Sequence, residues 1–231
     1  VFTLPRRASR SSRPAKPELR DPRTMPRRNM GSLKGRQALL HALAHIELNA
    51  IDLAWDIIGR FADDTALCGR QAAFADDWVR IGAEEAKHFL ALERRLAALG
   101  VAYGDFPAHD GLWRAAESTA HDLVARLAIA PLVHEARGLD VTPGIIAKID
   151  ATGDVESGDV LRMIYDDEIS HVAIGANWFA AACNARGVKP EIAFADAVAT
   201  HHPAGLKGPF NTVARERAGL HASLYVGLAR A

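Results

Sequence analysis

From Leu33 onward the apolar residues of this chain recur every three or four positions rather than every second one, and the stripes they draw are long. Leu40, Leu43, Ala44, Ala50, Ile51, Ala54 and Ile58 fall on one face of a helix predicted over about Leu33–Asp63. Phe74, Trp78, Ile81, Leu92, Leu96 and Leu99 mark a second over Arg70–Leu99, stopped by Gly100. Ala120, Val124, Leu127, Ala128, Leu132 and Leu139 mark a third over Leu112–Leu139, with Pro143 beyond its end and Pro131 expected to bend it. Leu161, Ile164, Gly175, Trp178 and Ala182 mark a fourth over Glu156–Arg186, closed by Gly187 and Pro190. A minor helix over Pro143–Asp150 and short ones over Glu191–Thr200 and Asn211–Ala218 complete the prediction. The fold class is all-α: a four-helix bundle over 31–187, an arm over 1–30 and a helical tail over 188–231 packed on the bundle.

The connection between the second and third helices leaves two topologies open. Residues 100–111 reach at most about 40 Å when extended, and a thirty-residue helix is about 45 Å long. A crossover along the bundle is therefore feasible only if nearly straight, and an up-down-up-down arrangement stays open.

Composition supports the helical reading, since Ala and Leu outweigh the β-branched residues. Charge alters the picture at one end. The net charge is zero, yet residues 1–36 hold Arg6, Arg7, Arg10, Arg13, Lys16, Arg20, Arg23, Arg27, Arg28, Lys34 and Arg36 against Glu18 and Asp21 alone. With five prolines and no hydrophobic period, residues 1–30 read as an extended arm, solvated or wrapped on the domain. Contact with RNA is the sharper alternative, weakened because no aromatic residues interleave the arginines as stacking platforms. No run approaches the roughly 18 apolar residues of a membrane span, and the N-terminus lacks a secretory apolar segment. Cys68 and Cys183 form no framework and read as buried small hydrophobes in a reducing compartment. The expectation is a cytoplasmic monomer or dimer.

Two segments read Glu-x-x-His: Glu85–His88 in the second helix and Glu168–His171 in the fourth. Residues three apart share a helix face, so each motif offers a carboxylate and an imidazole to one point. Both lie in the middle of an apolar stripe, where an uncompensated carboxylate costs several kcal/mol in desolvation. Glu47 and Glu135 continue the stripes of the first and third helices in the same way. The order Glu, Glu-x-x-His, Glu, Glu-x-x-His is the ligand set of di-iron and di-manganese carboxylate bundles. Four carboxylates against two divalent ions leave a site close to neutral, and oxygen donors with two imidazoles suit iron or manganese. The predicted metal ligands are thus Glu47, Glu85, His88, Glu135, Glu168 and His171, holding two iron ions, with manganese or a mixed Fe/Mn pair as the alternatives.

The competing reading is a structural charge network, in which Arg137 and Arg162 would neutralise the glutamates. Glu84 aligns with Asp77, Arg80 and Lys87 and reads as part of a solvated face. His41 and His45 read as surface or inter-helix polar groups away from Glu47, and His134 is ambiguous. Asp167 reads either as the residue that orients a ligand imidazole or as an exposed aspartate. Tyr165, Trp55 and Trp78 read first as core.

The stretch LLHALAHIELNAIDLAWDII (39–58), with EEAKHF, PLVHEARGLDVTP and DDEISHVAIG, resembles DUF455, a ferritin-like family of unknown function. The resemblance runs from about residue 16 to the end and takes in the PRRNMGS arm and the LKGPFN tail. It implies a ferritin-like fold and a metal site at the six positions above, without departure at any of them, and no substrate. More distantly the motif order is similar to the tRNA-modifying di-iron hydroxylase and to bacterial di-iron oxygenases. The leading functional expectation is an oxidoreductase that activates dioxygen or peroxide, with an unknown small-molecule substrate and a separate electron donor. Metal storage with ferroxidase activity, and a non-catalytic interaction protein stabilised by its metal, are the alternatives.

Overall fold

The computed structural model describes residues 14–25 and 29–230. The helices are α1 (Leu33–Phe61), α2 (Gln71–Ala98), α3 (Gly111–Ser118), α4 (Leu123–Ile129), α5 (Ala136–Asp150), α6 (Val155–Ala185), α7 (Pro190–His201), α8 (Thr212–Arg217) and α9 (Ala222–Tyr225). Between α4 and α5 the chain continues through a π-helical turn, Ala130–Glu135. The described residues are predominantly α-helical; β1 (Leu206–Lys207) lies parallel to β2 (Ala229–Arg230), and Leu19 bridges Ala108. No helix among the described residues is long and apolar enough to cross a membrane.

Local chemistry sets where the long helices begin and end. The Ser32 hydroxyl accepts from Gly35 N and caps α1, and Asp154 accepts from Ser157 N and caps α6. Asp154 is also buried between Arg36 and Arg95, at 2.9 and 2.6 Å, so the cap ties the start of α6 to α1 and α2. Gly100 takes φ +82° just beyond α2, a conformation that a β-carbon disfavours, and ends the helix there.

The long helical stretches run α1, α2, the α4–π–α5 stretch, and α6, and they share two apolar clusters. One is built from Ala54, Ile57 and Ile58 of α1, Phe74, Trp78 and Ile81 of α2, Leu123–Leu139 and the second half of α6. The other takes Leu39, Leu40 and Ala44 of α1, Leu92 and Leu96 of α2, Ile149 of α5, and Leu161 and Ile164 of α6. Thus α2 and the α4–α5 stretch both travel from the first cluster to the second, whereas α1 and α6 travel the other way. Two consecutive stretches run in the same sense, so the link between them crosses back along the molecule.

That link is longer than the sequence suggests. The predicted third helix over Leu112–Leu139 is in fact broken: Gly111–Ser118 is a separate helix within the crossover, and α4 starts afresh from the Asp122 cap. Trp113 and Ala116 of α3 pack on Leu53 of α1. Buried Arg126 then pins the turn by donating to Thr119 Oγ1, Ala116 O and Asp56 of α1. The expected minor helix over Pro143–Asp150 is instead the second half of α5, which carries Pro143 inside it.

The described parts of both terminal segments lie against the helices. In the arm, Arg20 N donates to Ala108 O and Ala108 N to Glu18 O, so the described part follows the crossover. The arm predicted over 1–30 falls partly outside the described residues, as do Arg6–Arg13, Arg27 and Arg28. At the other end Arg215 is buried on α8, bidentate to Asp140 of α5 and stacked against Phe210 and Tyr225. Cys183 is buried as expected, but Cys68 is exposed at the left-handed residue that ends a short turn after α1.

Candidate metal centre

Between the two apolar clusters lies a polar layer. Glu47 of α1, Glu85 and His88 of α2, and His171 of α6 are buried in it, and Glu168 of α6 is nearly so. Each follows from the pattern of its helix, for every one replaces an apolar residue on the inward face. Glu135, the last residue of the π-helical turn, comes to the edge of the same layer; its Oε2 is buried without a hydrogen-bond partner.

The two imidazoles face each other with ring centroids 5.7 Å apart. His88 Nδ1 lies 3.3 Å from Glu85 Oε2, 3.4 Å from Glu47 Oε2 and 3.9 Å from Glu168 Oε1. His171 Nδ1 lies 3.0 Å from Glu85 Oε1 and 3.7 Å from Glu168 Oε2. Glu85 and Glu168 each reach both imidazoles, whereas Glu47 reaches His88. His171 Nδ1 and Glu85 Oε1 are close yet make no hydrogen bond, so they face a common space rather than each other.

The outer nitrogens are tethered crosswise. His88 Nε2 donates to Asp167 at 3.0 Å, and His171 Nε2 donates to Glu84 at 2.7 Å. Asp167 immediately precedes the α6 motif and Glu84 immediately precedes the α2 motif, so each motif braces the histidine of the other. Lys87 closes one side with a 2.5 Å bond to Asp167. Asp167 therefore has the orienting position that the sequence offers it as one of two readings. Glu84 does not belong to a purely solvated face, because the neighbouring helix brings His171 to it.

The cationic alternatives are used elsewhere. Arg137 bonds the Lys207 and Pro209 carbonyls and Asp140, and Arg162 bonds Asp150 and Asp159. His41 and His45 are not surface groups. They are buried under the crossover, where Gly104 N donates to His41 Nε2 and Tyr103 bonds His45. His134 packs edge-on against His202. Trp78 is core, Trp55 is 55% exposed, and Tyr165 receives a hydrogen bond from Asn211.

Protons occupy the charge balance that the arginines leave open. Burial alone would lower both histidines, but the Glu47 and Glu85 carboxylates raise His88 to about 10, and Glu168 and Glu85 raise His171 to about 12. Burial, then the charges of Glu168 and Glu85, push Glu135 up to about 8. Burial and the Glu85 charge likewise raise Glu47 well above the usual carboxylate range, and they raise Glu168. Glu85 goes the other way: burial opposes its ionisation, but the close imidazoles of His171 and His88 prevail and hold its carboxyl below the usual range.

A cation answers the same demand. Glu47, Glu85, His88 and Glu168 offer donor atoms that all lie within 4.8 Å of one another, and this cluster could hold a metal ion. Buried Glu85 Oε1, Glu135 Oε2, Glu168 Oε2 and His171 Nδ1 lack hydrogen-bond partners. The Nδ1 atoms turn inward while carboxylates hold the Nε2–H groups outside, the arrangement that fixes a ligating imidazole.

The sequence pattern of a family described as "Protein of unknown function (DUF455)" matches residues 3–226. An uncharacterised protein of Haemophilus influenzae is 42% identical over 207 residues, which cover 89% of this chain and 72% of that protein. No solved structure matches.

Proposed function

The chain belongs to the DUF455 family, whose function is unknown, and from its polar layer we propose a ferritin-like four-helix bundle that holds two metal ions and works as an oxidoreductase. Glu47, Glu85, His88, Glu135, Glu168 and His171 would hold the ions. The observation that carries this reading is the crosswise bracing of the two Glu-x-x-His motifs. A structural charge network needs no such symmetry, whereas a dinuclear centre needs two imidazoles with Nδ1 presented inward and locked. The parallel run of α2 and the α4–α5 stretch, joined by a crossover, is the helix order of ferritin-like bundles.

Four carboxylates neutralise two divalent ions, and the O/N donor set favours iron, then manganese. Two reduced iron ions at this place would supply two electrons toward reducing dioxygen, an oxidisable substrate would supply the other two, and a separate electron donor would restore the reduced iron. The chain's own residues do the rest. Glu85 and Glu168 each lie near both imidazoles, and each keeps an oxygen without a hydrogen-bond partner that an ion would take up. Asp167 and Glu84 hold the imidazoles in place, and the two apolar clusters keep bulk water from the layer.

The test is oxygen uptake. Metal-free protein loaded anaerobically with ferrous iron, then mixed with dioxygen, is expected to consume it in proportion to bound iron. Glu168→Ala protein should consume it far more slowly. Iron-loaded wild-type protein that leaves dioxygen untouched contradicts the oxidoreductase reading.

A further inference from the structure

On the dinuclear reading, we infer that the two ion positions are unequal: the one bounded by Glu47, Glu85, His88 and Glu168 is preformed, and the one that requires Glu135 is completed by movement of the π-helical turn against Gly175. The preformed quartet brings its donors within 4.8 Å of one another. Glu47 sits 3.4 Å from His88 Nδ1. Among the described residues no corresponding contact within 4.0 Å joins Glu135 to His171. The pseudo-symmetry of the two motifs is therefore broken at the two lone glutamates.

The cause lies in the elements that carry them. Glu47 stands in the middle of an uninterrupted 29-residue helix. Glu135 closes a six-residue π-helical turn, an inserted register that can shift more readily than an α-helix. Pro131 begins that departure, since it has no N–H to donate to the preceding turn. It packs directly on Gly175 of α6, one turn beyond His171. A β-carbon at Gly175 would come 2.4 Å from Pro131 Cβ and 2.6 Å from Pro131 Cγ. Only glycine permits this approach, so Gly175 is a positioning residue that sets how near the turn, and with it Glu135, comes to the layer. The buried Glu135 Oε2 has no hydrogen bond to lose when the carboxylate swings to an ion.

The experiment is a Mn²⁺ titration of the metal-free full chain, followed by calorimetry and electron paramagnetic resonance. The first equivalent is expected to give the hyperfine signal of an isolated ion, and the signal of a spin-coupled pair should grow only afterwards. Glu135→Gln and Gly175→Ala should keep the first event and weaken the second by about 10- to 100-fold, whereas Glu47→Gln should weaken the first. Glu135→Gln preserves shape and keeps the test intact if Gly175→Ala fails to fold. A coupled pair from the first addition onward, or Glu135→Gln weakening both events alike, overturns the inequality and leaves the dinuclear reading standing. Wild-type protein that binds no Mn²⁺ overturns both.

Discussion

At the scale of single residues, the balance in the polar layer is between protons and cations, and it makes stability depend on pH in opposite senses with and without metal. His88 and His171 are raised in the folded, metal-free chain. What they contribute to stability is complete below their ordinary value of 6.5 and is lost as pH rises through about 10 and then about 12. Glu135 acts in the same sense: it is ordinarily ionised above 4.5, but stays protonated in the fold up to about 8, so its burial costs stability across that interval. Metal must displace these protons, so its affinity rises with pH. The gap in Tm between metal-loaded and metal-free protein is therefore expected to widen from about pH 6 to about pH 9. A gap that stays constant over that range would contradict the account. The tethers give a second expectation. Asp167→Asn and Glu84→Gln should each weaken metal binding by about 10- to 100-fold while leaving the fold intact, as read by competition with a chelator. Unchanged affinity in both would show that the crosswise bracing is incidental.

At the scale of elements, the start of α6 depends on one side chain with three duties. Asp154 caps the helix, pairs with Arg36 and Arg95, and is buried while doing so. Asp154→Ala leaves two arginines facing a buried gap and should cost about 3 kcal/mol, measured by denaturant unfolding. A loss below about 1 kcal/mol would mean that the pairings are no more than those of a surface bridge. The same scale explains what the sequence makes legible. Glu85, His88, Glu168 and His171 are visible because i,i+3 spacing sets them on apolar stripes, and the layer forms where those stripes meet. Glu84 is not visible, because it lies off the inward face of α2 and finds His171 only once α6 is placed beside it. His41 and His45 look exposed on α1 because their cover arrives from the crossover, some 60 residues away in the chain. The break before α4 is hidden because the apolar spacing runs on through Trp113, Ala116 and Ala120, with no glycine or proline to mark the turn. Pro131 signals a bend, but whether the chain kinks or inserts a π-helical turn depends on the contact with Gly175.

At the scale of the whole molecule, the polar layer divides the interior into two apolar halves. The C-terminal segment packs on the first of these, through Leu206, Ala214, Ala218, Leu220 and Tyr225. Arg215, Asp140, Phe210 and Tyr225 form a buried clamp that holds this segment to α5, while Asn211 reaches Tyr165 one turn before Glu168. Arg215→Ala removes the bidentate partner of Asp140 and leaves it only the longer 3.4 Å pairing with Arg137; it should destabilise the fold by about 3 kcal/mol, with a fall in Tm that a thermal melt reads directly. An unchanged Tm would show that the tail is not part of the cooperative unit. The account as a whole rests on the layer holding two ions, and elemental analysis of the purified chain addresses that most directly. After anaerobic iron addition and removal of excess, the wild type is predicted to carry about two iron ions per chain, and Glu85→Ala, which removes the carboxylate shared by both imidazoles, is predicted to carry none. Folded wild-type protein that retains no iron or manganese would contradict it, and would leave the six residues as a protonated network inside a helical scaffold.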